Sequence, residues 1–539
     1  LGGNFALLNF GIHQPQLKDL QQFMKNIFLV KTLFLLLVAQ VAFGQEDFRK
    51  SSPKPGPAPK IELGKAEQFT LKNGLKVIVV ENHKLPRVSF QVFVDVPPLL
   101  EGDLMGYTDI AGQLLNKGTT TRTKAQIDES VDFMGASLGT SASGVEGSCL
   151  SRYSDKLLEI MADVLLNPSF PAEEFDKVKK QSISALAQAK DDPNAIAENV
   201  AGVVRNGKNH PYGEVVTEKT LEKITVEKCK EFYQTHFKPN ISYLIVTGDI
   251  SLADAKKLAQ KYFNDWKQGD VKRNGYETPK QPTTTQVDFV DKAGAVQSVI
   301  NITYPVDLKP GGPDAIKASV MNTVLGSYFG SRLNANLRES KAYTYGARSV
   351  LNTDPVVGYF NAYASVRNEV TDSAIVQFLV ELNRLRNEDI GEDELSMVKN
   401  VMTGNFARSL EDPSTVARFA LNTARYNLPA DYYANYLKQL SQVSAADIKA
   451  MATKYLAVNN AHILVVGNKD EVAEKLGQFA QDKKVRYFDV YGNPIEQVGL
   501  EIPSGATAKT VLADYINALG GSKLDGIKSV YINSTASFQ

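Results

Sequence analysis

The sequence predicts an α+β protein made from one unit used twice, each copy a sheet backed by helices. Three observations carry this. First, the chain repeats itself at an offset of about 220 residues, the length of a domain and not of a solenoid repeat. Leu221-x-x-Ile224-Thr225 leads through an amphipathic helix to the apolar run Tyr243 to Gly248, and Leu440-x-x-Val443-Ser444 leads through another to His462 to Gly467. Second, Glu174, Val178, Lys179 and Asp192-Pro193 recur as Glu394, Val398, Lys399 and Asp412-Pro413. Third, each half opens with strand patterns and continues with helical ones.

The elements follow from local chemistry. Thr225 and Ser444 stand at helix N-caps, where a hydroxyl takes up a free backbone N–H of the first turn. Asn240 and Asn459 hold matching places before the next strand. Each long helix before Asp192-Pro193 and Asp412-Pro413 should end in a turn, because the residue preceding proline is pushed out of the helical region. Phe69 to Leu71, Lys72-Asn73-Gly74 and Leu75 to Val80 read as a hairpin, with Asn-Gly supplying positive φ angles. Val88 to Val96 alternates apolar and polar residues, as a half-buried strand does. Pro279 to Thr285 reads as the joint between the halves.

Composition narrows the function classes. Hydrophobic content of 43% and charged content of 22% are those of an ordinary globular protein. Lys+Arg and Asp+Glu balance at 60 each, so no net field draws the chain to nucleic acid or an anionic membrane. Cys149 and Cys229 are the two cysteines, too few for a metal cluster or a disulfide framework. They read as buried thiols, with pairing in an oxidising compartment left open.

Met24-Lys25-Asn26 opens a segment whose core, Leu33 to Phe43, is almost wholly apolar, and Ala42-Phe43-Gly44 offers small residues where a signal peptidase needs them. This reads as a secretory signal peptide, too short and weakly flanked for a stable membrane span. No cysteine follows to take a lipid anchor. Ser51 to Pro59 holds four prolines and a glycine, a stiff extended tether. The expected organisation is upstream sequence over 1–23, signal peptide over 24–44 and tether over 45–64. A first domain over 65–270, a linker over 271–287 and a second domain over 288–480 follow. The chain then runs through a connector over 481–503 to a further segment over 504–539. In that last segment Thr507 to Leu519 reads as a short helix closed by Gly520-Gly521, and Ile527 to Ile532 as a strand. It resembles the opening of a lipoprotein-carrier-like (LolA-like) β-domain, cut short. Periplasmic or secreted residence is expected, with no transmembrane segment in the mature chain.

Residues 106–119, Gly-Tyr-Thr-Asp-Ile-Ala-Gly-Gln-Leu-Leu-Asn-Lys-Gly-Thr, resemble the catalytic helix of M16 (insulinase/pitrilysin-like) zinc peptidases. The resemblance covers residues 65 to about 480 and implies two homologous domains facing each other like a clam shell. In that family the helix carries His-x-x-Glu-His: two histidines bind zinc and the glutamate activates a water. Here those positions are Asp109, Gly112 and Gln113. Two ligands at i and i+4 of a helix share a face and can grip one ion. Gln113 offers only a neutral amide oxygen, and Gly112 has no side chain to take a proton. The family's third ligand falls at Ala185. The histidines after the signal segment, His83, His210, His236 and His462, have no helical-turn spacing among them. His210 sits in Asn-His-Pro-Tyr-Gly, which resembles a structural loop of the family. No metal is expected in this chain, and Asp109 and Gln113 read as partly exposed polar residues facing the central cavity.

Gly326 to Gly346 resembles the second family landmark. There an arginine and a tyrosine seven residues apart, here Arg338 and Tyr345, bind substrate backbone and a developing oxyanion from the C-terminal domain; guanidinium and phenol donors suit that task. Gly330 and Ser331 belong to the same substrate-binding candidates. Read without the family, Arg338 is a surface charge paired with Glu339 or Asp354, and Tyr345 a strand residue with a wet hydroxyl. Gly326 and Gly330 form either a mobile loop or a helix cap.

Loss of the zinc motif with retention of the Arg/Tyr pair resembles the non-catalytic subunits of heterodimeric M16 peptidases. The resemblance implies a peptide-binding subunit whose partner carries an intact His-x-x-Glu-His motif and the zinc, with unfolded peptides as substrates. The alternative is a proteolytically inactive scaffold or peptide-binding component of an envelope assembly. An independent enzyme of other chemistry is disfavoured, since no nucleophile elbow, phosphate loop or Ser/His/Asp spacing is present.

Overall fold

The structure, a computed structural model, describes residues 22–26, 63–496 and 507–529. Residues 22–26 form a helical turn. Residues 27–44 of the expected signal peptide, most of the tether and the end of the predicted final strand lie outside the described residues; the described start of that strand, 527–529, is not in a strand. Among the described residues no helix is long and apolar enough to cross a membrane.

The first half contains β1 (Glu67–Thr70), β2 (Lys76–Glu81), β3 (Arg87–Val94), α1 (Tyr107–Leu114), β4 (Ser137–Ser141) and β5 (Gly144–Leu150). It continues through α2 (Ala172–Ala189), α3 (Pro193–Asn206) and β6 (Ser242–Gly248). The second half contains β7 (Gln286–Asp291), β8 (Gln297–Val306), α4 (Ala315–Asn322), β9 (Ala347–Asn352) and β10 (Gly358–Arg367). There follow α5 (Glu392–Ser409), α6 (Pro413–Tyr426) and β11 (His462–Gly467), then β12 (Val485–Phe488) and β13 (Pro494–Ile495). A helix α7 (Ala508–Ala518), capped by Thr507, forms where the sequence predicts one and has no buried residue. The strand orders are β1-β2-β6-β3-β5-β4 and β13-β12-β7-β11-β8-β10-β9. The five strands β2-β6-β3-β5-β4 and β7-β11-β8-β10-β9 match one for one, so the duplication seen in sequence is a duplication of topology.

Local signals behave as their chemistry requires. Thr225 Oγ1 accepts from Lys228 N at 3.3 Å and Ser444 Oγ from Asp447 N at 3.1 Å. Asp192 and Asp412 cap the helices that follow them: each Oδ1 accepts a backbone N–H at 2.9 Å, and the proline stands at the first helical position, where its missing N–H costs nothing. The β1–β2 hairpin forms, with Thr70 opposite Lys76 and Glu67 opposite Val79. Its turn differs in detail, because only Gly74 takes a positive φ, +85°. Asn73 instead buries its amide, donating to Phe263 O at 2.7 Å and Trp266 O at 3.0 Å. Cys149 and Cys229 are separate buried thiols; burial pushes Cys149 up to about 11 and Cys229 to about 12.

Each half also sends one helix across to the other. The α3 residues Ile196, Ala197, Val200 and Ala201 pack on Val290, Val299, Leu464 and Val466 of the second sheet. Reciprocally, Val416, Ala417 and Ala420 of α6 pack on Ile78, Val80, Tyr243 and Ile245 of the first. This explains a difference in strand pattern. The middle of β2, Val77 to Val80, and all of β6 are buried on both faces because helices cover both, whereas β3 alternates because its Ser89, Gln91 and Phe93 face is not covered in this way. The expected connector also differs: β12 pairs in parallel with β7, so residues 485–495 belong to the second sheet. The linker likewise ends earlier than predicted, since Val287 already lies buried in β7.

Candidate functional site

Helix α1 starts at Gly106, whose φ of +105° lets the chain turn sharply into it. Its free N-terminal donors go to Glu101, which accepts from Gly106 N at 3.0 Å, Thr108 N at 3.2 Å and Thr108 Oγ1 at 2.8 Å. Burial nevertheless raises the Glu101 carboxyl above its ordinary value, outweighing those hydrogen bonds.

The three motif positions lie on this helix in unlike settings. Asp109 is exposed and Gln113 half-buried, and Gln113 Nε2 donates to Asp109 Oδ2 at 2.8 Å. Gly112 is buried where α1 meets the β4–β5 turn. A Cβ built there would lie 2.1 Å from Ala142 N and 2.2 Å from Ser141 C. Both neighbours are backbone, so no side chain fits without moving the helix off the sheet. Ala185 on α2 is exposed and offers only a methyl group. A carboxylate and an amide bonded to each other, with no base between them, do not fit a catalytic zinc.

The histidines stand apart from this helix and serve elsewhere. His83 contacts Asp249 at 2.7 Å, and hydrogen bonds to Asp249 and Glu81 raise its pKa. His210 Nδ1 accepts from Tyr212 N at 3.1 Å inside its loop, and burial lowers its pKa. His236 bonds Phe232 O at 3.1 Å, and His462 bonds the buried Asp288 at 2.9 Å.

In the second half, α4 runs into a π-helical turn (Thr323–Ser327), and a second π-turn spans Ala335–Ser340. Gly326 is neither a mobile loop nor a cap. It is the counterpart of Gly112: a Cβ there would lie 2.3 Å from Ser349 N on β9. The first helix of each half thus meets its edge hairpin backbone to backbone at a glycine. Gly330 is exposed beside the Tyr328 ring. Ser331 is 1% exposed and its hydroxyl has no partner among the described residues, so it does not present a donor to the surface as the sequence led us to expect.

Arg338 lies on the second π-turn, stacks over the Phe329 ring at 4.4 Å and approaches Glu339 at 3.4 Å. Asp354, the other carboxylate considered for it, is engaged by the Tyr212 hydroxyl at 3.1 Å. Tyr345 is 93% exposed and lies in the loop before β9, not in the strand. That loop contains Ala342 at a φ of +53°, a conformation costly for a residue with a side chain. Phe329, 63% exposed, was not singled out from the sequence; an aromatic residue beside the Gly330 turn is the signal that marks it.

A cleft of about 740 Å³ lies between the halves. The polar faces of β3, β4 and β5 form one wall, including Gln91, Glu146 and Ser148, and α6 forms the other with Arg418 and Arg425. Arg425 is held by Asp95 at 2.8 Å and stacks on Phe93, while Arg273 reaches Asp95 from the other side at 2.7 Å. The helices α3 and α6 therefore occupy part of the space between the sheets, and this groove runs beside α6. Sequence reading missed this groove because its two walls belong to segments far apart in the chain.

Two duplicated sheets, crossed helices and a zinc helix stripped of its ligands define a degenerate member of a two-domain metallopeptidase fold. Residues 76–210 match the family described as "Insulinase (Peptidase family M16)" and residues 223–402 match "Peptidase M16 inactive domain". The chain belongs to the M16 family. It is similar to the "Non-peptidase homolog YmxG" of Helicobacter pylori, 22% identical over 400 residues that cover 73% of this chain and 92% of that one. It is also similar to an "Uncharacterized zinc protease" of Rickettsia felis, 25% identical over 349 residues, 63% of this chain and 83% of that one. Among solved structures, the M16 inactive domain from Pseudomonas fluorescens aligns with a TM-score of 0.69 at 21% identity, covering 75% of this chain and 98% of that one. A protease from Helicobacter pylori aligns with a TM-score of 0.67 at 21% identity, covering 75% and 100%. At these identities the structural likeness is one of fold.

Proposed function

We propose that the protein is a non-catalytic, peptide-binding subunit of a heteromeric M16 zinc endopeptidase in the periplasm or outside the cell. The observation that carries this reading is the contrast between the two landmarks. Gly112 is locked against backbone and admits no general base, while Tyr345 is exposed in the loop that leads into the edge strand β9, and Arg338 stacks on the exposed Phe329 just before that loop. Donors left exposed beside an edge strand suit a polypeptide backbone, which needs hydrogen-bond partners along its length. Zinc and the activated water belong, in this reading, to a partner bearing His-x-x-Glu-His. The name of the Helicobacter relative, a non-peptidase homolog, agrees with the first half of the proposal.

A second reading, a scaffold or peptide-binding component with no proteolytic partner, draws support from the crossed helices. They occupy part of the space between the sheets and fix the halves to each other. Purification of the protein from its native envelope with mass spectrometry of associated chains separates the two. A stoichiometric M16 chain with an intact zinc motif and chelator-sensitive peptide cleavage supports the protease subunit; envelope proteins without cleavage support the scaffold. In a reconstituted complex, Arg338→Ala with Tyr345→Phe should lower turnover and leave assembly unchanged. Full turnover in that double variant sinks the role given to the pair.

A further inference from the structure

We propose that a second cleft, at the C-terminal end of α6, binds a proline-rich segment of a partner polypeptide in the polyproline-II conformation. This goes beyond the subunit reading above and does not depend on it. The cleft measures about 430 Å³, within the range of sites that bind small ligands or short peptide segments. Tyr426, Tyr432, Tyr433 and Tyr436 line it, over a floor that includes the buried Leu308 and Ile316.

The aromatic wall is braced from behind. Tyr433 stacks on Phe419 with ring centroids 3.9 Å apart and planes 6° apart, and Tyr436 stacks on Phe406 at 4.7 Å. The turn that carries these tyrosines is fixed as well. Asn427 leaves α6 in the left-handed conformation at a φ of +50°, and Leu428 lies so close to Gly311 that a Cβ there would come within 2.2 Å of it. The rings are therefore held before any ligand arrives, which lowers the ordering cost of binding.

The lining selects the ligand. It contains no Asp, Glu, Lys or Arg, so nothing there is complementary to a charged group. The Tyr432 and Tyr436 hydroxyls have no hydrogen-bond partner among the described residues, whereas Tyr433 accepts from Asn422 at 3.2 Å. Burial raises the pKa of Tyr432, Tyr433 and Tyr436, which keeps the phenols protonated as donors. The cleft thus offers flat apolar faces and neutral donors. A polyproline-II segment presents the complement: rings that pack on aromatic faces, and backbone carbonyls that no internal hydrogen bond uses.

The test is a titration of a fluorescent, end-capped oligoproline peptide with the full chain, followed by anisotropy. The protein carries Pro53, Pro55, Pro57 and Pro59 each changed to Ala, so the added peptide is the sole proline-rich segment present. The expected result is a saturable rise, absent for a capped oligoserine peptide. Tyr432→Phe, which removes a hydroxyl that bonds nothing within the described chain, should weaken binding about fivefold, the worth of one neutral hydrogen bond. Circular dichroism of that variant should be unchanged. No saturable rise, equal binding of oligoserine, a Tyr432→Phe variant that binds as tightly as its parent, or binding of a glucan oligosaccharide in place of oligoproline would each overturn the proposal.

Discussion

Gly112 decides more about this protein than Asp109 or Gln113. Two missing histidines could be restored by two substitutions, because Asp109 is exposed and Gln113 only half-buried. The general base cannot, because the backbone of Ser141 and Ala142 fills the space where its Cβ would be. Gly112→Ala should destabilise the protein by about 1–3 kcal/mol, the usual cost of overpacking, whereas Gln113→His should stay within about 0.5 kcal/mol. Urea unfolding midpoints measure both; equal midpoints for Gly112→Ala and the parent would show that the helix lifts freely. The combined variant Asp109→His, Gly112→Glu, Gln113→His should gain no tight zinc site. Competition with a chromophoric chelator reads this, and stoichiometric zinc uptake would refute it.

At the scale of elements, the Asp-Pro pairs are the clearest case of sequence acting locally. Asp192 and Asp412 take nearly the same backbone angles, φ −92° with ψ 113° and φ −92° with ψ 116°, and make the same capping bond. The sequence reading saw them as ends of long helices; they are equally the starts of α3 and α6, the two helices that cross between the halves. Asp192→Ala and Asp412→Ala should each cost about 1 kcal/mol, as loss of an N-cap does. Chemical denaturation of the two single variants tests this. A loss in one and none in the other would mean that the two crossings are not equivalent.

For the whole molecule, the contacts between the halves matter most. Besides the two apolar clusters, Asp95 holds Arg425 and Tyr212 holds Asp354 across the divide. The turn between β12 and β13 adds another tie. Tyr491 donates to Glu218, Lys190 pairs with Glu218, Lys208 donates to Asn493, and Gly492 lies against Val203 of α3. Hydrogen bonds from Lys190 and Tyr491 depress the Glu218 carboxyl from 4.5 to about 2. A depressed carboxyl stabilises the fold above its unfolded value and ceases to do so as pH falls through its folded value. This tie should therefore be intact above about pH 4.5 and lost on acidification towards pH 2. Glu218→Gln should flatten that part of the stability profile, read as urea midpoints against pH. An unchanged slope in the variant would remove Glu218 from the account.

The duplication, the helix caps, the hairpin, the family and the loss of the zinc ligands were all legible along the chain. Each of these rests on residues close together in the chain, where spacing and side-chain chemistry are enough: Thr225 caps a helix whatever lies beyond it. Tertiary structure alone decided the rest. It placed α3 and α6 on the opposite sheets, which a helix's apolar stripe cannot announce because either sheet would bury it equally well. It turned the expected connector into strands of the second sheet and Asn73 inward to hold Phe263 and Trp266. It buried Ser331 and exposed Tyr345, a distinction set by neighbours that the surrounding motif does not encode. It also gave Gly112 and Gly326 their common reason, a backbone contact between segments that are separated in the chain.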